Sequence, residues 1–434
     1  MSIWSMFANR SPVTLRLIKG FGANSLGKIW ALLIQLLSVP ILTSAWGVEG
    51  YGIWLMIATI PVYLSLSDFG LGTAASVDMT SAMARNDRKS AMRAFQSVWT
   101  FMTMVTTLIA LIVVVCVAVW GFMTPASTAS VFSPSRIAGT ITLITIAALL
   151  IIQMSICKSI FQATHKYALG TVILDLASLA DGLIVIAIAM LGGDILLAAA
   201  GMLATRIIST LFCHLILSRI EPWCRPGWSM ADKKTLQRLL HPSLGALALT
   251  LANSLGLQGM VLSIGFTFGP ATAAIFATSR MLTRIPLQFS TLLSRASLPE
   301  LTRAQVDGHH ELTRKLMRAN LMLAFASVLP FTLILAFWGP ELQSKISNGE
   351  MAATSDSFAV LGIAALLNAL WSTLGAKLLA TNQQGTFAWI ALIMYAACAG
   401  LPFHFNVNYL LLLIFFALSE AAILIKIIAV YIKK

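Results

Sequence analysis

The chain has 434 residues, of which 58% are hydrophobic and only 10% are charged. About a quarter of the residues of a soluble globular domain are charged, so this composition excludes a soluble fold and indicates a protein that lies mostly in lipid. The formal net charge of +13 follows the basic loops expected of a membrane protein, and we therefore expect no nucleic-acid partner.

Twelve apolar segments are long enough to cross a bilayer, which takes about 20 residues of α-helix. The sequence therefore predicts an all-α polytopic membrane protein with about 12 transmembrane helices. The predicted spans are residues 22–43, 51–75, 96–121, 136–162, 168–191, 195–218, 241–265, 272–297, 320–339, 358–381, 386–402 and 407–431.

The basic residues outside these spans are distributed unevenly between the two sides. One set of alternating loops and termini holds 19 Lys and Arg, whereas the opposite loops hold only Lys345. Basic loops stay on the cytosolic side of a membrane. We therefore expect both termini in the cytosol.

A weak internal repeat divides the chain into halves. Residues 47–54 open the second span and residues 269–276 open the eighth, 222 residues later, and both spans lead into a basic loop. Such a repeat predicts two similar six-helix lobes. The predicted boundaries are 1–220 for the first lobe, 221–240 for a cytosolic linker and 241–434 for the second lobe.

The eighth span carries a one-sided polar stripe formed by Arg280, Arg284, Gln288, Thr291 and Arg295. At about 100° per residue these positions fall within an arc of about 80°. Arginine inside a bilayer usually faces protein or a water-filled cavity, so we predict a cationic cavity for an anionic cargo. Snorkelling to the headgroups is the competing interpretation for Arg280 and Arg295, but Arg284 lies too near the midplane.

Ten further charged residues lie within or at the edges of the spans, and five of them are candidate functional residues. Lys28 is a candidate contact for the cargo, or an anchor at the membrane interface. Arg206 either joins the cationic cavity or forms an ion pair with Asp181. Asp68, Asp181 and Glu420 are candidates for gating or for coupling to an ion, and the residues do not distinguish a proton from sodium.

Catalytic and cofactor motifs are not evident in the sequence. It has no Walker-type glycine loop, its six histidines are scattered, and its five cysteines have no metal-ligand spacing. We therefore expect no enzymatic activity, no resident cofactor and no metal site.

Three segments resemble a known family: residues 50–54 (Gly-Tyr-Gly-Ile-Trp), residues 63–72, which end in Asp-Phe-Gly-Leu-Gly, and the basic loop 85–93. They are similar to the Wzx-type polysaccharide and O-antigen flippases of the multidrug/oligosaccharidyl-lipid/polysaccharide (MOP) exporter superfamily. The resemblance implies a MATE-like, V-shaped pair of six-helix lobes that works by alternating access.

The resemblance also implies the cargo and its surroundings. The cargo would be an undecaprenyl-diphosphate-linked glycan, an O-antigen or other surface polysaccharide unit, moved to the outer leaflet of the bacterial inner membrane. Membrane lipids, a polysaccharide polymerase and chain-length proteins of lipopolysaccharide biosynthesis would be its partners. Two alternatives stay open: a MATE-like drug or metabolite exporter, which the excess positive charge inside the spans disfavours, and a flippase for the cell-wall lipid precursor.

Overall fold

A computed structural model describes residues 12–66, 71–123, 131–306, 310–380 and 385–432. Side chains are described in these ranges except at 12–21, 23–24, 73, 121–123, 240–246, 289–306, 310, 377, 379–380 and 432. Every regular element in the described ranges is helical, as predicted. A helix satisfies its backbone hydrogen bonds within one segment, which is what lipid requires. The α-helices are α1 (Pro12–Ile57), α2 (Ile60–Ser65), α3 (Leu71–Ala84), α4 (Arg88–Met123), α5 (Pro134–Ala163), α6 (Tyr167–Met190), α7 (Ile195–Ile220), α8 (Lys233–Ser254), α9 (Met260–Phe268), α10 (Pro270–Val306), α11 (His310–Ile346), α12 (Ser355–Ala380), α13 (Gly385–His404) and α14 (Tyr409–Ile432).

Ten helical stretches among the described residues are long and apolar enough to cross a membrane. The first of them, Ser25–Ser65, contains residues 25–43 of the first predicted span and the beginning of the second. The other nine each overlap one predicted span. The predicted eighth span forms α10, which carries Arg280 and Arg284 and is not among the ten. The chain is therefore a multi-pass membrane protein of the predicted all-α class.

The predicted second span, residues 51–75, is not one continuous helix. The helix breaks between α1 and α2, and Pro61 is the second residue of α2. A proline fits the first turn of a helix but disrupts the hydrogen bonds of a helix interior. The Thr59 hydroxyl donates a 2.7 Å hydrogen bond to the Met56 carbonyl at the end of α1. Pro286, by contrast, lies within α10, which continues past it.

The two copies of the predicted repeat begin with the same unusual backbone conformation. Gly47 has φ 70° and ψ 170° inside α1, and Gly269 has φ 90° and ψ 158° directly before α10. This region of φ/ψ space is populated almost only by glycine. The segments also touch, because Gly52 lies against the backbone carbonyl of Pro270 with no room for a side chain.

The chain folds into two compact units. Unit 1 comprises Met1–Ile41 and Ile60–Leu244, and unit 2 comprises Leu42–Thr59 and Gly245–Lys434. These units differ from the predicted lobes, 1–220 and 241–434, in two places. The expected linker, 221–240, belongs to unit 1, and residues 42–59 belong to unit 2. The contact between Gly52 and Pro270 is one reason for the second difference.

The connection at 221–240 is attached to α4 by buried hydrogen bonds. The Gln96 amide donates to the Arg225 carbonyl (3.0 Å) and accepts from the Met230 amide (2.8 Å). The Ser97 hydroxyl accepts from the Asp232 amide (2.8 Å). Gln96 and Ser97 are each only 3% exposed. The connection is therefore a docked part of unit 1, and α8 begins within it, at Lys233.

Each unit has its own apolar core. Phe95 and Phe161 are fully buried in unit 1, and Phe276 and Phe387 in unit 2. Large apolar side chains also cover the outside of the helices, such as Ile208, which is 66% exposed. Outward-facing apolar surface of this kind is expected where helices contact lipid.

Candidate functional site

Arg280 of α10 points toward a distorted turn of the preceding helix. Between α8 and α9, residues Leu255–Gly259 form one π-helical turn. The Arg280 guanidinium donates a hydrogen bond to the Leu257 carbonyl of this turn. It also lies 5.0 Å from the ring centroid of Phe276, a cation–π distance. Arg280 is thus positioned by a backbone acceptor and an aromatic ring of unit 2.

Arg284, one helical turn further along α10, borders a small polar cavity inside unit 2. The cavity has room for about one water molecule. The side chain of Arg284 is half-buried. The cavity is lined by Asn253, Gly256, Leu257, Arg284, Asn368, Tyr395, Phe416 and Glu420. The structure therefore brings together two of the predicted residues, Arg284 and Glu420.

Glu420 of α14 is 1% exposed and is held by neutral donors from α12. Its carboxylate accepts from the Asn368 amide at 3.1 and 3.3 Å and from the Trp371 indole at 2.5 Å. Hydrogen bonds to a charged group are each worth about 1.5–3 kcal/mol, which offsets part of the cost of burying a carboxylate. Arg284 adds a favourable electrostatic interaction, although these two described side chains form no ion pair within 4.0 Å.

This arrangement supports two kinds of chemistry in one place. Neither Arg280 nor Arg284 forms an ion pair with any described residue, so α10 carries two positive charges without a carboxylate partner in the described part of the chain. Glu420 is a buried carboxylate beside a cavity and can take up a proton or a small cation. Arg280 and Arg284 lie one helical turn apart on α10, so one anion placed beside this face would be attracted by both positive charges.

Arg206 and Asp181 form an ion pair inside unit 1. Their side chains are 7% and 9% exposed, and Asp181 also accepts a 2.8 Å hydrogen bond from the Thr205 hydroxyl. The Arg206 guanidinium lies 3.4 Å from the Ser178 hydroxyl as well. Of the two readings that the sequence left open for Arg206, the geometry matches the ion pair. The charge of Arg206 is therefore compensated within unit 1.

The other predicted residues are not brought together with Arg284 and Glu420. Lys28 is half-buried on α1 of unit 1, and Gln288 is exposed on α10. Asp68 and the side chain of Arg295 lie outside the described residues. In the part of the chain that is described, no three His, Cys, Asp or Glu side chains are grouped to hold a metal ion.

Sequence reasoning missed the residues that hold Glu420. Asn368 and Trp371 lie three residues apart on α12 and therefore on one helix face. An asparagine and an indole on one face of an otherwise apolar span were a usable signal. The Leu257 carbonyl carried no such signal, because the π-helical turn that presents it has no distinctive sequence.

Residues 17–305 match the family model of polysaccharide biosynthesis proteins. This match covers more than half of the chain. No curated protein sequence matches significantly.

Several solved transporter structures share the fold at low sequence identity. An inward-facing multidrug MATE transporter of the MOP superfamily is 12% identical over 91% of this chain and 96% of that chain, with a TM-score of 0.68. A MATE protein in complex with MaD3S is 13% identical over 95% and 93%, with a TM-score of 0.61. A MOP superfamily transporter from Pyrococcus furiosus is 12% identical over 95% and 92%, with a TM-score of 0.57. At this identity the likeness establishes the fold alone.

The sequence match and the fold agree with each other. The family is one of polysaccharide biosynthesis proteins, and the structural neighbours are transporters. We conclude that this multi-pass membrane protein belongs to the polysaccharide biosynthesis protein family and has the fold of the MATE transporters of the MOP superfamily.

Proposed function

We propose that the protein is a flippase for an oligosaccharide linked to a polyprenyl diphosphate, such as an O-antigen or another surface polysaccharide unit. It would move this lipid from the cytosolic to the outer leaflet. One observation carries the proposal: α10 holds Arg280 and Arg284 within a membrane protein, and neither is neutralised by an ion pair with a described residue. The family match supplies the connection to polysaccharides.

The diphosphate is the part of this cargo that resists leaving water, because burying an unpaired charge is very costly. Arginine is suited to lower that cost, since its planar group donates paired, charge-assisted hydrogen bonds to phosphate oxygens. Arg284 offers its guanidinium beside the cavity, and Arg280 lies one turn away. An anion placed beside both groups would be attracted by the two positive charges together.

Glu420 is our candidate for coupling transport to an ion, either a proton or sodium. It lines the same cavity as Arg284. The charge on the Glu420 carboxylate therefore affects the binding of an anion to Arg284, and a bound anion affects the ionisation of Glu420 in return. With cargo bound, Arg284 compensates the diphosphate. After release, the same guanidinium again has only Glu420 as an oppositely charged neighbour among the residues that line the cavity.

The surroundings follow from the charge distribution and the family. The basic loops favour cytosolic termini, and the cargo class favours the bacterial inner membrane. A polysaccharide polymerase and chain-length proteins would then use the product on the outer side.

The direct test is transbilayer movement of a labelled polyprenyl-diphosphate oligosaccharide in proteoliposomes. We expect Arg284→Ala to slow movement by at least about tenfold, equivalent to about 1.4 kcal/mol. Arg284→Lys should restore only part of the rate, because an ammonium group lacks the planar fork. Lys345→Ala is the matched control, since Lys345 is a highly exposed cation paired with Glu341. Wild-type rates in Arg284→Ala would refute the assignment.

Two further arms separate the alternatives. Uptake of organic cations without movement of lipid-linked glycans would identify a drug exporter, as the fold neighbours suggest. Movement of the cell-wall lipid precursor alone would identify a precursor flippase.

The role of Glu420 in coupling is tested with Glu420→Gln. This variant should fold, but its transport rate should no longer respond to a proton or sodium gradient. An unchanged response would exclude Glu420 as the coupling residue.

A further inference from the structure

A second group of cationic side chains lies in unit 1, whereas α10 belongs to unit 2. This second group forms an open pocket of about 250 Å³ where the end of α3, the start of α4 and the start of α8 meet. The pocket is lined by Asp78, Ala82, Arg85, Ser90, Arg93, Lys234, Thr235 and Arg238. All of these residues belong to unit 1. Four of the eight are basic and one is acidic.

The acidic residues around the pocket are already engaged. Asp78 forms an ion pair with Arg238, with 2.8 Å between the carboxylate Oδ2 and the guanidinium Nη2. Asp87 and Asp232 lie near the pocket arginines, but each caps a helix. Asp87 accepts a hydrogen bond from the Ser90 amide at 3.0 Å. Asp232 accepts from the Lys234 and Thr235 amides in the first turn of α8. The pocket lining therefore keeps three cations without an ion pair to a described residue: Arg85, Arg93 and Lys234.

The walls of the pocket are fixed before any ligand arrives. Arg93 lies on α4 one turn before Gln96 and Ser97, whose buried hydrogen bonds attach residues 225–232 to that helix. Lys234 follows directly on that attached segment. The separation of Arg93 and Lys234 is thus set by the fold, which reduces the entropy lost when both contact one ligand.

We propose that this pocket binds a phosphate-bearing anion, a phosphate ester or diphosphate, presented by a lipid headgroup. Three cations in one concave site match a doubly charged phosphate group better than a carboxylate, and arginine recognises phosphate oxygens in a fork geometry. The pocket is built from the basic segments 85–93 and 233–238, which lie next to membrane helices, where headgroups are found. The proposal rests on this geometry and does not depend on the cargo of the transporter.

Isothermal titration of the full chain in a neutral detergent tests the site. The titrant is inorganic pyrophosphate, and every variant is made in an Arg280→Ala/Arg284→Ala background so that these two α10 arginines do not contribute. We expect Arg93→Ala/Lys234→Ala to weaken binding by about tenfold or more. The matched control, Arg88→Ala/Lys89→Ala, removes the same charge from the first turn of α4, outside the pocket lining, and should change the affinity less than about twofold.

The charge-conserving pair Arg93→Lys/Lys234→Arg guards against misfolding and should keep most of the affinity. Equal weakening by the pocket and control pairs would show diffuse surface attraction and overturn the proposal. So would pyrophosphate binding that neither pair alters, or no binding at all.

Competition identifies the source of the phosphate. Displacement of pyrophosphate by short-chain phosphatidylglycerol would mean that a bulk phospholipid occupies the pocket. Displacement by farnesyl diphosphate but not by phosphatidylglycerol would mean a lipid diphosphate. Displacement by inorganic phosphate alone, with neither lipid competing, would overturn the lipid part of the proposal.

Discussion

Charged side chains inside the two units are stabilised in different ways, and the difference separates structural from functional residues. Arg206 has a carboxylate partner, Asp181. Among the described residues, Arg280 contacts a carbonyl and an aromatic ring, and the hydrogen-bond partners of Glu420 are neutral donors. Charges without ion pairs remain available for a cargo or an ion, whereas a paired charge contributes mainly to the fold.

Replacing one member of the buried ion pair should be strongly destabilising. Asp181→Asn leaves Arg206 uncompensated, and we expect a loss of about 3 kcal/mol of stability. The double variant Asp181→Leu/Arg206→Met should recover most of it, because no charge is then left buried. Thermal unfolding in detergent measures both. A double variant as unstable as the single one would show that the pair is not the cause.

A second ion pair, outside the membrane spans, should make stability depend on pH. Glu221 accepts from Lys166 at 2.6 Å and from the Trp223 indole at 2.7 Å. Burial raises the pKa of Glu221, but these donors outweigh it, so the pKa lies below its ordinary value of 4.5. The stabilisation is therefore complete above about pH 4.5 and lost as pH falls through the lower, folded-state pKa.

We expect the melting temperature of the wild type to fall on acidification. In Glu221→Gln the melting temperature should fall less, because the titrating carboxylate is absent. The comparison is a series of melting curves for wild type and Glu221→Gln between about pH 6 and 3. Parallel curves for the two proteins would contradict this assignment.

Among the helices, the informative places are those where regular geometry breaks. The π-helical turn Leu255–Gly259 widens the helix between α8 and α9 and presents the Leu257 carbonyl to Arg280. Such turns are rare and frequently occur at functional sites. Gly47 and Gly269 break the helix at matching positions of the repeat, and they set the direction in which the following segment leaves.

Alanine at either glycine should be destabilising for backbone reasons alone. Nothing lies within 4 Å of the methyl group that alanine would add at Gly47 or Gly269, so only the positive φ opposes the change. We expect a cost of about 1–3 kcal/mol each. Gly400→Ala is the matched control, because Gly400 is helical, has the same open surroundings and an ordinary φ. Equal melting temperatures for Gly47→Ala and Gly400→Ala would contradict the prediction.

At the scale of the whole molecule, the chain crosses between its two units more often than a simple division into halves implies. Leu42–Thr59 packs with unit 2, and the chain then returns to unit 1 at Ile60. The connection between the halves is docked on unit 1 and held there by Gln96. Unit 2 therefore includes a segment from the first half of the sequence, and unit 1 extends into the second half as far as Leu244.

Removing the docking hydrogen bonds should loosen the connection without unfolding unit 1. Gln96→Leu keeps a similar volume but loses its bonds to Arg225 and Met230. We expect a protease of broad specificity, such as proteinase K, to cleave within residues 221–232 several times faster than in the wild type. Gln153→Leu, which removes a polar contact with Thr103 elsewhere in unit 1, should leave the cleavage rate unchanged. Equal rates in all three proteins would show that the connection is held by other contacts.

The sequence by itself determined the class, the helices and the family. Long apolar segments can only be membrane helices, because lipid offers the backbone no hydrogen-bond partner. Eleven of the twelve predicted spans fall almost entirely on described helical residues, although α1, α4, α8, α10 and α11 each extend seven or more residues beyond a predicted end. The second predicted span is broken near Pro61. The resemblance of residues 50–54 and 63–72 to a flippase family agrees with the family match.

Only the tertiary structure decided which charges compensate one another. Helical periodicity fixes the face on which Arg280 or Glu420 lies, but not the element that this face meets. The pairing of Arg206 with Asp181, the donors from α12 to Glu420, and the pocket formed by residues 78–93 and 234–238 all join segments separated along the chain. Their proximity depends on how the helices pack, which a local sequence pattern does not encode.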